Sequence, residues 1–96
     1  MNITRFELTD ALYEADLDED ALREGIPYYG DRTRTAVRIN NDNDAYRFFL
    51  ALAEVFNRED EDADGIGRAR DFANAATVEK LGKSLYLYLP GIRITD

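Results

Sequence analysis

The amino-acid sequence predicts a small two-layer α+β domain: a sheet of about three mostly antiparallel strands against a central buried helix, with additional short helices. Three observations carry this. Arg32–Ile39 alternates with a period of two and is rich in β-branched residues. Asn43–Asn57 carries apolar residues at helical spacing almost all round. Ser84–Ile94 alternates again on both sides of a Pro90-Gly91 turn.

Taken in order, Thr4-Arg5-Phe6-Glu7 has the form of a capping box, as does Asp16-Leu17-Asp18-Glu19. Leu8, Leu12 and Ala15 recur at helical spacing, and Leu17, Ala21 and Leu22 follow. This reads as an N-terminal helical pair closed by Gly25, with a strand over 2–8 as the alternative for its first part. Residues 26–31, with Tyr28 and Tyr29, read as a loop. In the strand that follows, Thr33, Thr35, Val37 and Ile39 share one face and Arg32, Arg34, Ala36 and Arg38 the other. Asn40-Asn41-Asp42 supplies a turn and an N-cap. In the helix over 43–57, Tyr46, Phe49, Leu50, Ala53 and Phe56 make one face, widened by Phe48, Leu52 and Val55, so this helix is expected to be buried. An acidic loop over 59–67 precedes a helix from about Arg68 to Lys80, with Phe72, Ala76 and Leu81 inward and Gly82 as its stop. A C-terminal hairpin or bent strand completes the order, with Tyr86 and Tyr88 expected to be partly exposed.

The chain has 96 residues, enough for one domain and too few for two, so 1–96 is expected to fold as a single unit. It has no cysteine and no histidine, which removes disulfides, thiolate chemistry, the commonest general base and the commonest zinc ligand. Ser84 is the only serine, and without histidine it cannot belong to a triad. Gly65-Ile66-Gly67 is too short and too acidic in its surroundings for a phosphate loop. Paired carboxylates could do acid/base work only in an apolar frame, and only Glu54 has one; it is expected to pair with Arg47 or Arg58. The expectation is a non-enzyme. No apolar run resembles a secretory signal or approaches the ~20 residues that span a bilayer, so a cytoplasmic, membrane-free protein is expected.

Net charge is −8 and unevenly spread. Residues 1–31 carry nine acids and two bases, 32–58 three and five, 59–76 six and two, and 77–96 two and three. Two acidic blocks thus flank a mildly basic one. Phosphate would be repelled, so direct nucleic-acid binding is disfavoured; a basic protein surface would be attracted. The candidate partner-binding residues are Asp16, Asp18, Glu19 and Asp20 on a helix, Glu59, Asp60, Glu61, Asp62 and Asp64 on a loop, and Tyr28 and Tyr29 as aromatic anchors. The stripe Arg32-Arg34-Arg38 reads either as a partner contact or as an intramolecular counterpart of the acidic helices. The sequence is compatible with a monomer or a dimer.

Residues 60–71 resemble the calcium loop of EF-hands. Asp60, Asp62 and Asp64 match its first, third and fifth positions, Gly65 its sixth, and Asp71 stands in for the closing glutamate. Calcium binding is therefore an alternative to an absence of cofactors. Gly67 replaces the expected aliphatic residue, and the only pairing candidate, Asp16-Leu17-Asp18-Glu19-Asp20, has Ala21 where glycine is needed.

Gly25-Ile26-Pro27-Tyr28-Tyr29-Gly30 together with Leu81–Ile92 resembles a group of small phage-encoded proteins. Arg38–Asp44 with Tyr46 is similar to a segment of small acidic anti-CRISPR inhibitors of Cas9. The resemblance implies a phage accessory protein of host cytoplasm that blocks a nucleic-acid-binding defence complex, of anti-CRISPR or anti-restriction type, with acidic blocks that imitate DNA. The remaining alternative is a structural or interaction domain adapted to high salt.

Overall fold

Residues 2–27, 33–59, 64–89 and 93–95 are described by a computed structural model, the side chains of 25–27, 33, 34 and 59 excepted. Strand β1 (Asn2–Thr4) runs into helix α1 (Arg5–Glu14), and a 3-10 turn (Glu19–Ala21) into strand β2 (Leu22–Pro27). Strand β3 (Thr33–Ile39), helix α2 (Asp42–Glu59), helix α3 (Gly65–Ala75) and strands β4 (Thr77–Leu81), β5 (Ser84–Tyr88) and β6 (Arg93–Thr95) follow. The class is α+β, as expected. The main sheet is fully antiparallel in the order β2-β3-β5-β4, one strand more than expected, and β1 pairs separately with β6 in parallel.

The first helix starts where the capping box put it. Thr4 Oγ1 accepts the Glu7 N–H at 3.0 Å, and Glu7 Oε1 accepts the Thr4 N–H at 2.9 Å. The second N-terminal helix does not form. Asp18 caps only a three-residue 3-10 turn and makes no side-chain cap bond, and the chain extends at Leu22. Leu17, Ala21 and Leu22 still pack on the core, because a turn followed by a strand brings the same three side chains inward. Gly25 lies inside β2, where the register with β3 shifts between Arg23 and Ile26, rather than closing a helix.

The inner sheet face is the one the alternation predicts: Val37 and Ile39 of β3 and Leu87 of β5 pack with Leu8, Leu12, Phe48 and Phe56. Ala36 and Tyr88, register partners on the opposite face, are also buried, at 0% and 2% exposure, outside that cluster. Tyr88 is thus not a surface tyrosine; Tyr86, on the same face, is half-buried with its ring centre 6.1 Å from that of Tyr88.

Helix α2 is buried on the face of Phe48, Leu52, Val55 and Phe56, but not all round. Tyr46 and Leu50 are more than half exposed, and Phe49 is half-buried. Helices α1 and α3 and strand β3 contact it, and among the described residues Tyr46, Leu50, Glu54 and Arg58 make its exposed side. Helix α3 starts against α2 through Gly65, whose N–H donates to Asn57 Oδ1 at 2.9 Å and whose missing side chain leaves room for the Ala53 carbonyl. It ends at Ala75, earlier than expected. Thr77–Leu81 pairs with β5 instead, because β5 offers a full ladder: Val78 opposite Leu87 and Lys80 opposite Leu85. Gly82, at φ 63, then occupies the turn of the β4–β5 hairpin rather than a helix stop. The second half of the expected C-terminal hairpin goes to the other end of the chain, where Ile94 faces Ile3.

Candidate functional site

The acidic corner at residues 14–20 is built by the way α1 ends. Leu17 N–H donates to the Leu12 carbonyl at 2.8 Å and Asp16 N–H to the Tyr13 carbonyl at 3.0 Å, with Asp16 at φ 61. This is a Schellman ending, and Leu17 returns onto the core beside Leu12. The left-handed position that glycine usually fills is held by an aspartate, at a cost of about 1 kcal/mol. The last turn of α1 contains no basic residue, so Glu14 and Asp16 stand at the negative end of the helix dipole. Arg58 offsets Glu14 through a 3.2 Å pair.

Three concavities border on Asp16. One of about 260 Å³ is lined by Asp16, Asp18, Asp20, Arg23, Arg38 and Asn40. A second, of about 240 Å³, lies between α1 and α2 and is lined by Glu14, Ala15, Asp16, Arg47, Leu50, Ala51 and Glu54. The third, of about 440 Å³, is lined by Tyr13, Glu14, Asp16, Leu17 and Asp18. Asp16, Asp18, Glu19 and Asp20 are all exposed, and Tyr13 is 81% exposed. Arg38, the one member of the arginine stripe whose side chain is described, is exposed and stands over the same concavity as three of these carboxylates.

Asn41 caps α2, its Oδ1 accepting the Asp44 N–H at 3.1 Å. Asp44 Oδ2 accepts the Asn40 N–H at 2.8 Å and its other oxygen accepts from Arg47. The Asn40 N–H, with Arg47 adding to it, holds the buried Asp44 carboxyl below its ordinary range against the opposing pull of burial. Arg47 is thereby committed to Asp44 and Arg58 to Glu14, while Glu54 is exposed. The pairing of Glu54 with Arg47 or Arg58 is not the one adopted, because each arginine has a partner elsewhere.

The second acidic block is only partly described. Tyr28, Tyr29, Asp60, Glu61 and Asp62 lie outside the described residues, as does the side chain of Glu59. Asp64 is the N-cap of α3, its Oδ1 accepting the Gly67 N–H at 2.9 Å. Arg68, one turn on, contacts Asn2 and Glu7 at the start of α1, whereas the corner at Asp16 lies at the other end of that helix, about 15 Å of rise away.

Of the calcium pattern, Asp60 and Asp62 lie outside the described residues, Asp64 caps α3, and Asp71 lies seven residues on in the same helix, roughly 10 Å of rise away. Among the described residues there is no group of three or more His, Cys, Asp or Glu placed to hold a metal ion, and no helix long and apolar enough to cross a membrane.

The sequence did not single out Tyr13, Glu14 or Leu50 for this site. Tyr13 was within reach, since the inward spacing of Leu8, Leu12 and Ala15 turns it outward. Comparison with protein-family models, curated proteins and solved structures finds no match.

Proposed function

We propose that the protein is a non-catalytic, protein-binding inhibitor that presents its acidic corner to the basic, nucleic-acid-binding surface of a partner complex. What supports the reading is one arrangement: Asp16, in a left-handed conformation at the negative end of α1, borders three concavities and heads a run of four exposed carboxylates. Uncompensated like charge beside a helix C-terminus lowers stability, and a cationic partner relieves it. Duplex DNA carries one charge per ~1.7 Å of axis, and four carboxylates within five residues offer a patch of similar density.

The test is capture of partners from a host lysate, with and without excess duplex DNA. A nucleic-acid-binding complex displaced by DNA, held less tightly as salt rises and lost with Asp18→Lys/Glu19→Lys/Asp20→Lys, is the expected result. The same complex captured regardless of DNA would sink the mimicry. Capture of nothing, with stability rising steadily into molar salt, would replace the reading by that of an acidic domain adapted to high salt.

A further inference from the structure

We infer that the groove between the C-terminal end of α1 and the middle of α2 receives a single lysine or arginine side chain from a partner protein. The inference rests on the protein-binding reading above and adds the chemistry of what is bound. Ala15 and Ala51, 4% and 5% exposed, form the floor, and the small side chains are what leave it open. Leu50, 52% exposed, stands at its side. Glu14, Asp16 and Glu54 line it, with Arg47 as the only base among the described residues. At about 240 Å³ it falls below the roughly 300–1,000 Å³ of pockets that enclose drug-sized ligands, and suits one long side chain.

Charge decides which side chain. Arg47 is held by Asp44, and Arg58, outside the groove, by Glu14, so among the described residues neither Asp16 nor Glu54 has an ion-pair partner. The dipole of α1 adds negative potential at the same end. An acidic occupant would be repelled and a purely apolar one would leave both carboxylates unanswered. A lysine or arginine meets both demands: its methylenes lie on the alanine floor and Leu50, and its cation reaches the rim carboxylates. Tyr13, in the adjoining concavity, offers an exposed ring face to a guanidinium.

The probe is a capped pentapeptide with one arginine between two leucines, with lysine and citrulline versions; citrulline keeps the arginine's shape and loses its charge. In a two-dimensional amide NMR titration of the full chain, the arginine peptide should shift Ala15, Asp16, Leu50 and Ala51 together, and the citrulline peptide should bind at least tenfold more weakly. Asp16→Asn/Glu54→Gln, both at exposed positions, should weaken the arginine peptide at least tenfold with the rest of the spectrum unchanged. The lysine peptide separates the two cations: a lysine match within threefold assigns the groove to either, and a larger gap to arginine. Equal binding of citrulline and arginine, or shifts centred on Asp18–Asp20 with the groove signals still, overturns the inference. Lysate capture separates it from the broader reading. Undiminished, DNA-displaceable capture by Asp16→Asn/Glu54→Gln would leave the inhibitor reading standing and remove the groove. Peptide binding in the groove without any nucleic-acid-binding partner would do the reverse.

Discussion

Arg68 Nη1 donates to Glu7 Oε2 at 3.2 Å, and the guanidinium carbon of the same arginine lies 3.8 Å from the centre of the Phe56 ring. Its Nη2 also reaches the Asn2 carbonyl at 2.7 Å. One side chain of α3 therefore ties together β1, the capping glutamate of α1 and the buried face of α2. Arg68→Ala should destabilise the fold by about 1–3 kcal/mol, measured by urea unfolding. A double-mutant cycle with Glu7→Ala should return a coupling of about 1 kcal/mol, and additive effects would mean the pair contributes nothing of its own.

Asp44 is a buried carboxyl whose folded-state pKa lies below its ordinary value of 3.8, chiefly through the Asn40 N–H. Its contribution is therefore fully present above that ordinary value and lost as pH falls through the lower folded-state value. Asp44→Asn should lower stability at pH 7 by about 1–2 kcal/mol. Between about pH 5 and about pH 2 it should lose less further stability than the wild type does. Parallel curves of unfolding free energy against pH would remove Asp44 from the acid sensitivity.

Asp16→Gly separates stability from binding. It relieves the left-handed backbone and the charge at the end of α1, and should raise stability by about 0.5–1 kcal/mol despite glycine's looser unfolded state. It should also weaken the arginine peptide. A variant both less stable and unimpaired in binding would contradict the account of this corner.

Phe48 and Phe49 are neighbours with different fates. Phe48→Ala should cost about 3–5 kcal/mol, because the ring is fully buried. Phe49→Ala should cost clearly less, since Phe49 is half-buried and makes an edge contact with Phe48 at 5.5 Å between ring centres. Thermal unfolding of the two variants orders them directly.

Gly65→Ala places a methyl group against the Ala53 carbonyl and Asn57 at the start of α3. Helix propensity alone favours alanine by about 1 kcal/mol, so a loss of stability on substitution would show that close approach decides. The expected melting temperature is lower than that of the wild type.

What the sequence by itself determined was local. The start of α1 rests on Thr4 and Glu7, three residues apart, and that of α2 on Asn41 and Asp44, with the same spacing. Strand β3 was legible because Val37 and Ile39 alternate with exposed Arg38, and the outward carboxylates at 16–20 because nothing apolar competes for those positions but Leu17. Only the tertiary structure decided that Leu22–Pro27 and Thr77–Leu81 are strands. Five or six residues hold too little periodicity to separate a strand from the end of a helix, and their ladder bonds go to β3 and β5, whose edges exist only once the sheet is assembled. The same holds for β1 with β6, for Arg68 with Glu7 across 61 positions, and for the groove where Asp16 and Glu54 share a rim. Each depends on groups that meet by packing rather than by spacing along the chain.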